Sequence, residues 1–271
     1  MEGQLLRYKQ SDISHYRFGR GPLPVICFHG YGEEATAFAF LDQPLGELFT
    51  FYAIDLPFHG KTAWREKSPF TPDDLVHIVT ALAGHEKKIT LMGFSLGGRM
   101  VLSLFEQMPG RVEKMVLMAP DGLKVNAWYW LATQTRIGNR FFALTMKRPS
   151  WFFALLKGMN KLGWVNASIF KFVNHYIGDA TVRRLLYQRW TTLRKIKPGL
   201  AHIKSLIREN KVKTRLIYGK HDRIILSSVG ERFRKGIEAH CTIAIIHSGH
   251  QVLHEKHAGE IIPALLNGDG Q

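Results

Sequence analysis

Lys88-Ile89-Thr90-Leu91-Met92-Gly93-Phe94-Ser95-Leu96-Gly97 decides the reading of this chain. An apolar run to Met92 enters Gly-x-Ser-x-Gly, and Gly98 to Gln107 continues with a helix-like pattern. Strand, tight turn and helix in that order form a nucleophile elbow. A serine at such a turn takes up strained backbone angles and lifts its hydroxyl clear of the sheet. Gly93 and Gly97 stand two residues either side because neighbouring segments pack too closely for a Cβ. The helix starting at the serine directs its free N–H groups and its dipole toward developing negative charge. Glycine and serine are common residues, so the motif takes its meaning from the strand before it and the helix after it.

Working outward, Val25-Ile26-Cys27-Phe28 reads as a short buried strand followed by His29-Gly30-Tyr31-Gly32, and Tyr52-Ala53-Ile54 as another followed by Asp55-Leu56-Pro57-Phe58-His59-Gly60. Gln4 to Lys9 and Ile13 to Phe18 alternate around Gln10-Ser11-Asp12, the pattern of an opening hairpin. Thr71-Pro72-Asp73-Asp74 predicts a helix start, with Thr71 as N-cap and proline at the first position. Leu75, Val76, Ile78, Val79 and Leu82 then supply one apolar face. Val112 to Met118 is the sixth strand. Arg215-Leu216-Ile217-Tyr218-Gly219 runs into Lys220-His221-Asp222, and Thr242-Ile243-Ala244-Ile245-Ile246 into His247-Ser248-Gly249-His250. Strands alternating with helices imply a mostly parallel sheet covered on both faces, whose ligands bind beyond the carboxyl ends of the strands. Tyr31, Ser95, Asp222 and His250 all fall there.

With these motifs the chain resembles the α/β-hydrolase superfamily over nearly its whole length, in the capped esterase-like branch. The resemblance implies an eight-stranded, mostly parallel sheet flanked by helices, with a helical cap inserted between strands six and seven. The boundaries read as a core of residues 1–121 and 206–271 and a cap of residues 122–205. It also implies Ser95 as nucleophile, Asp222 as acid and His250 as base, in chain order Ser…Asp…His. Phe58 stands where the family's loop after strand four usually has glycine; that loop is mainly structural.

A serine hydroxyl is a poor nucleophile at neutral pH and needs a base within roughly 2.6–3.2 Å. Histidine suits the task because its unperturbed pKa of about 6.5 lets it accept and return a proton. Of 13 histidines, only His250 follows the last strand at a Ser-Gly-His turn and opens the final helix expected at Gln251-Val252-Leu253-His254. His247, His250, His254 and His257 also have helical spacing, but zinc would ask for three convergent ligands. With His254 and His257 expected on a helix's outer face, no metal is expected. Asp121, in Ala119-Pro120-Asp121-Gly122, competes for the acid role, since some members of the superfamily take the acid from strand six. Gly219-Lys220-His221-Asp222-Arg223-Ile224-Ile225 matches the commoner strand-seven pattern. Asp55 reads as a turn residue capping its loop. The oxyanion needs two donors placed in advance: the N–H of Leu96 and, by resemblance, that of Tyr31. His29 then holds the loop, and Gly30 and Gly32 give it freedom.

Serine at the elbow, where aspartate would have implied a haloalkane dehalogenase or epoxide hydrolase, implies acyl transfer on an ester, thioester or activated amide, or cleavage of a carbon–carbon bond beside a ketone. Phe94 and Arg99 are candidates for touching substrate. Gly-Phe-Ser-Leu-Gly-Gly-Arg resembles the elbow of a menaquinone-pathway synthase, in which arginine helps hold an anionic substrate; alternatively Arg99 pairs with a core acid. The resemblance therefore implies a serine hydrolase of small-to-medium carboxylic esters with an apolar acyl or alcohol part and no cofactor. Two alternatives are a synthase, lyase or carbon–carbon hydrolase acting on an anion, and a non-enzymatic ligand receptor of the same fold.

The 271 residues suit one large α/β domain or a core with an inserted lid. Cys27 and Cys241 each fall in a predicted buried strand and read as reduced core residues. The start, Met1-Glu2-Gly3-Gln4, shows no basic region followed by an apolar segment, so no signal peptide is expected. No stretch reaches the ~20 apolar residues that span a bilayer, and a cytoplasmic enzyme is the expectation. The net charge of +15 is concentrated: Asp121 to Ser205 holds 15 Lys/Arg against two acids, and five of the six tryptophans, Trp128, Trp130, Trp151, Trp164 and Trp190. That segment is helical in character, with breaks near Arg148-Pro149-Ser150, Gly163, Gly178-Asp179 and Pro198-Gly199. Its basic, aromatic mixture admits an apolar substrate tunnel with solvated charges, or peripheral contact with an anionic lipid surface. Nucleic acid is not expected, because no recognition motif accompanies the charge. The tail from Asn267 to Gln271 reads as frayed.

Overall fold

In the computed structural model, residues 3–85, 87–124, 127–161 and 177–266 are described. The break expected at Gly163, Trp164 and the tail from Asn267 lie outside them. Eight strands form one sheet: β1 (Gly3–Tyr8), β2 (Ser11–Phe18), β3 (Leu23–Phe28), β4 (Phe49–Ile54), β5 (Ile89–Phe94), β6 (Val112–Met118), β7 (Lys213–Gly219) and β8 (Cys241–Ile246). Their order is β1-β2-β4-β3-β5-β6-β7-β8. β2 runs antiparallel to both β1 and β4, and all other pairings are parallel. Every residue of β5 is buried, as are Val25 to Phe28 of β3. Such unbroken burial is what a parallel strand with both faces covered shows.

Helix α1 (Pro72–Ala83) begins as the sequence predicts. Thr71 Oγ1 accepts from the Asp74 N–H at 3.2 Å, and Asp74 Oδ2 accepts from the Thr71 N–H at 2.8 Å, a reciprocal capping box with proline at the first position. Leu75, Ile78 and Val79 are buried beneath it. The remaining Asp74 oxygen accepts from Tyr8 Oη at 2.6 Å and from Lys9 Nζ at 2.5 Å, which ties the opening hairpin to α1. Asp55, fully buried, holds the loop after β4. Its carboxylate accepts from the Ala35 N–H at 2.7 Å, Ser14 Oγ at 2.8 Å and the Lys61 N–H at 3.1 Å. Within that loop Phe58 has φ +62°, a left-handed conformation that glycine would adopt without strain. The departure at Phe58 is thus a backbone cost in a loop held by Asp55.

The chain forms two compact units, residues 1–124 with 195–271, and residues 125–194. The second boundary falls short of the expected 205, and the cause is local. Pro198-Gly199 does break the chain, but the Gly199 N–H docks on the Glu106 carboxylate, at 3.2 and 3.1 Å from its two oxygens, near the end of helix α2 (Leu96–Gln107). The helix that follows, Leu200–Asn210, buries Ile203, Leu206 and Ile207 and leads directly into β7, so it is the crossover helix of the sheet despite its basic outer residues. In the unit of residues 125–194 the described helices are α3 (Ala127–Gln134), α4 (Arg136–Lys147), α5 (Ser150–Lys161) and α6 (Ala180–Thr192). Thr135 caps α4 through the Gly138 N–H, and Asp179 caps α6 through the N–H groups of Thr181 and Val182. Phe142 packs its ring 5.3 Å from Tyr187 and 5.5 Å from Trp190. Among the described residues no helix is long and apolar enough to cross a membrane. Cys27 and Cys241 are buried free thiols, and burial pushes the Cys241 thiol up to about 12.

Candidate active site

β5 ends at Phe94, and the chain must reverse within one residue to start α2. Ser95 absorbs that reversal at φ +49° and ψ −113°. Such a conformation persists only where its surroundings hold it. The Ser95 N–H donates to Met118 O at 2.9 Å, and the Ser95 carbonyl accepts from Gly98 at 2.9 Å and Asp121 at 2.8 Å. The turn is therefore pinned by the end of β6. At Gly97 an added Cβ would lie 1.9 Å from the Phe28 carbonyl oxygen, so only glycine lets α2 start this close to β3.

His250 lies in the loop after β8, and that loop is zipped to the one after β7. The Lys220 N–H donates to Ile246 O at 2.8 Å and the His221 N–H to Ser248 O at 2.9 Å. A Cβ on Gly219 would come within 2.0 Å of Gly249 O, so glycine is required for the two loops to meet. Ser248 Oγ donates to Gln251 O at 3.0 Å, closing the turn around His250. His250 does not open a helix. Residues after it run irregularly to a single 3-10 turn at Glu255–His257, and the last helix spans Ala258–Leu265. His254 caps that turn by accepting from the Lys256 N–H at 3.2 Å, while His257 is buried instead of lying on an outer face.

These two loops bring three predicted residues together. His250 Nε2 is 3.0 Å from Ser95 Oγ, and His250 Nδ1 is 2.8 Å from Asp222 Oδ2. The other Asp222 oxygen accepts from the N–H groups of Ile224 at 2.7 Å and Ile225 at 3.0 Å. The Asp222 side chain is wholly shielded from solvent and that of His250 is one-fifth exposed. An ionised carboxylate only accepts, so Nδ1 carries the imidazole proton and Nε2 presents a lone pair to the serine hydroxyl. Asp121 is elsewhere engaged: one oxygen is ion-paired with Arg99 Nη2, and the other accepts from the Gly122 N–H at 2.7 Å. One contact thus places both the competing acid and the ambiguous arginine. Phe94 is buried, its ring 5.4 Å from the His250 imidazole.

Tyr31 and Leu96 come from neighbouring strand ends. Phe28 of β3 stands opposite Gly93 of β5, so His29–Gly32 and Phe94–Leu96 leave the sheet side by side. Buried His29 accepts the Leu56 N–H on Nε2 at 3.1 Å, which puts its proton on Nδ1, 2.7 Å from the Gly30 carbonyl oxygen. That carbonyl turns toward His29, and in a trans peptide the Tyr31 N–H on the same unit points the opposite way. The Leu96 N–H is the first of α2.

Two participants escape sequence reasoning. Glu33 Oε2 accepts from the Gly30 N–H at 3.1 Å, and its Oε1 accepts from Gln251 Nε2 at 2.7 Å. One carboxylate therefore joins the loop bearing Tyr31 to the loop bearing His250. The partners are 218 residues apart, and neither belongs to a motif; only the adjacency of Gln251 to His250 could have drawn attention to it.

Comparison with known proteins agrees with the fold. A family model described as the alpha/beta hydrolase fold matches residues 24–257. The hydrolase YugF of Bacillus subtilis is 24% identical over 244 residues, covering 89% of this chain and 88% of its own. A pimeloyl-[acyl-carrier protein] methyl ester esterase of Nitrosospira multiformis is 27% identical over 160 residues, and here the match spans only 54% of this chain and 57% of the relative. Among solved structures, an esterase from Thermogutta terrifontis superposes with a TM-score of 0.67 over 98% of both chains at 14% identity, a likeness of fold.

Proposed function

This chain belongs to the α/β-hydrolase fold family, and from that premise we propose that it is a serine hydrolase of carboxylic esters with an apolar acyl or alcohol part. The observation that carries the reading is the continuous hydrogen-bonded series Ser95–His250–Asp222, with 3.0 Å and 2.8 Å links. Ser95 Oγ attacks the ester carbonyl carbon as His250 Nε2 takes its proton, and Asp222 stabilises the resulting imidazolium. The tetrahedral oxyanion is received by the N–H groups of Tyr31 and Leu96, strengthened by the N-terminus of α2. Collapse breaks the bond to the leaving alkoxide, which departs with the proton from His250 as alcohol and leaves an acyl group on Ser95. Water then gives one proton to His250 and attacks the acyl carbon, and the acid leaves as His250 returns that proton to Ser95 Oγ. The cycle balances without a cofactor.

Relatives named as esterases support this choice of substrate. Arg99, the feature that recommended an eliminating synthase for an anionic substrate, has a structural partner in Asp121. The test is turnover of p-nitrophenyl acyl esters of graded length, together with labelling by a fluorophosphonate. Wild-type protein should take up one phosphonyl group on Ser95. Ser95→Ala should lose hydrolysis by about 10⁴-fold or more with its fold intact. Near-wild-type turnover in folded Ser95→Ala protein would refute the mechanism.

A further inference from the structure

A helix needs one apolar face to join a protein core. Helix α4 has two. Its inner face is used: Thr145 is buried and Phe142 lies against Tyr187 and Trp190. Ile137, Phe141 and Leu144, spaced to form a single stripe along the helix, are all exposed, Ile137 at 72% and Phe141 at 57%. Trp151 of α5 extends this stripe, with its ring 6.4 Å from Phe141. Scattered exposed apolar residues need no explanation, whereas a contiguous set does.

The charge beside this stripe has one sign. From Ala127 to Lys161 the sequence holds six Lys/Arg and no Asp or Glu. On α4, Arg136, Arg140 and Lys147 fall on the side of the helix next to the apolar stripe and away from the face carrying Phe142 and Thr145. An apolar ridge flanked by cations along one helix is the arrangement of a segment lying in the plane of a membrane interface. There, apolar groups sink about 5–10 Å among the acyl chains while cations meet anionic headgroups. Tryptophan suits that boundary because its ring is apolar and its N–H is polar. A bilayer also receives an apolar stripe without matched shape. An acidic protein would have to supply a complementary apolar groove as well as negative charge.

We infer that the outer face of α4 and α5 docks the protein on an anionic lipid bilayer. This is independent of the ester-hydrolase reading, since it is measured as vesicle binding and not as turnover.

The experiment is flotation of the full chain with vesicles of phosphatidylcholine alone, or of phosphatidylcholine and phosphatidylglycerol in equal parts. Binding should favour the mixed vesicles, and it should fall by more than tenfold between about 0.15 M and about 1 M salt as the Debye length shrinks from ~8 Å to ~3 Å. Arg136→Gln combined with Arg140→Gln should weaken it about 25-fold, at roughly fivefold per cation. Ile137→Ser, Phe141→Ser and Leu144→Ser, each at unchanged charge, should each weaken it by about tenfold or more. These are exposed positions, and three separate variants guard against the misfolding of any one. The assignment is overturned if mixed vesicles are not bound at low salt. It is equally overturned if the apolar variants bind like wild type, or if soluble polyglutamate is bound as tightly as the mixed vesicles. Either result would mean that the face responds to charge alone.

Discussion

The two units bury very different shares of their large apolar side chains. In the sheet unit, Phe28, Phe38, Phe51, Phe70, Phe94, Phe105 and Tyr218 are almost wholly removed from solvent. In residues 125–194, among those described, Leu156, Ile177, Leu186 and Leu193 are the buried large apolar side chains, while eight others are exposed. Charge divides likewise: residues 125–194 hold 11 Lys/Arg and the single acid Asp179. In the first unit each of these rings is enclosed by close neighbours. In the second, local caps and a few ring contacts hold the helices, and much of the apolar surface faces outward. Small changes should therefore be costly in the sheet unit and cheap in the helical one.

The largest effect should come from Asp222→Asn. Asparagine that turns its N–H₂ to His250 Nδ1 forces the imidazole proton onto Nε2, and one that turns its oxygen there carries no charge to stabilise the imidazolium, so kcat on an activated ester should fall by about 10⁴-fold, or ~5.5 kcal/mol. Asp121→Asn provides the control within the same unit. It removes the partner of Arg99, whose side chain is only 11% exposed, so it should lower the urea midpoint while leaving kcat of the folded enzyme within about tenfold. If the two variants exchange phenotypes, the acid comes from β6 and the account of Arg99 is wrong.

Gly97→Ala should come next. The added carbon would sit 1.9 Å from a backbone oxygen of β3, which cannot rotate away as a side chain would. Either the start of α2 moves, displacing Ser95, or the unit carries overpacking strain of ~3 kcal/mol or more. Chemical denaturation together with ester turnover will register both. A fully active, equally stable Gly97→Ala protein would show that the sheet unit is far more yielding than its contacts imply.

That same closeness explains how much could be read in advance. The elbow, the hairpin, the Thr71 cap and the buried strands are local patterns, fixed by backbone geometry within a few residues, and each is visible as a short run of sequence. The Ser95–His250–Asp222 geometry follows because parallel strands deliver their ends to one edge. What escaped was set by distant partners. The Glu33–Gln251 link spans 218 residues with no period to announce it. Gln251 to His254 carried an apolar pair suggestive of a helix, yet Ser248 Oγ binds the Gln251 carbonyl and the chain turns before the helix begins at Ala258. Leu200–Asn210 was grouped with the basic segment by its charge, although its apolar face and the Gly199–Glu106 contact belong to the sheet unit. Composition marked the helical unit correctly as basic and aromatic, but composition does not say which face of a helix is covered.

The smallest effect is the sharpest test of the contrast between units. Gly158 lies inside α5, is exposed, and a Cβ added there would meet nothing within 4 Å. Glycine within a helix costs roughly 0.5–1 kcal/mol relative to alanine, because the unfolded chain loses more freedom on ordering. Gly158→Ala should therefore stabilise where Gly97→Ala destabilises. The gain should be local, since helices joined to a unit by few buried contacts open on their own. Amide hydrogen exchange in α5 should slow by about two- to fivefold, corresponding to that free energy, while exchange in β3 and β5 stays as in the wild type. If exchange slows equally in the central strands, the two units unfold as one and the contrast in how they are held is wrong. If Gly158→Ala instead destabilises α5, a surface that looks open is occupied in solution, and the outward apolar face of this unit has a partner already in place.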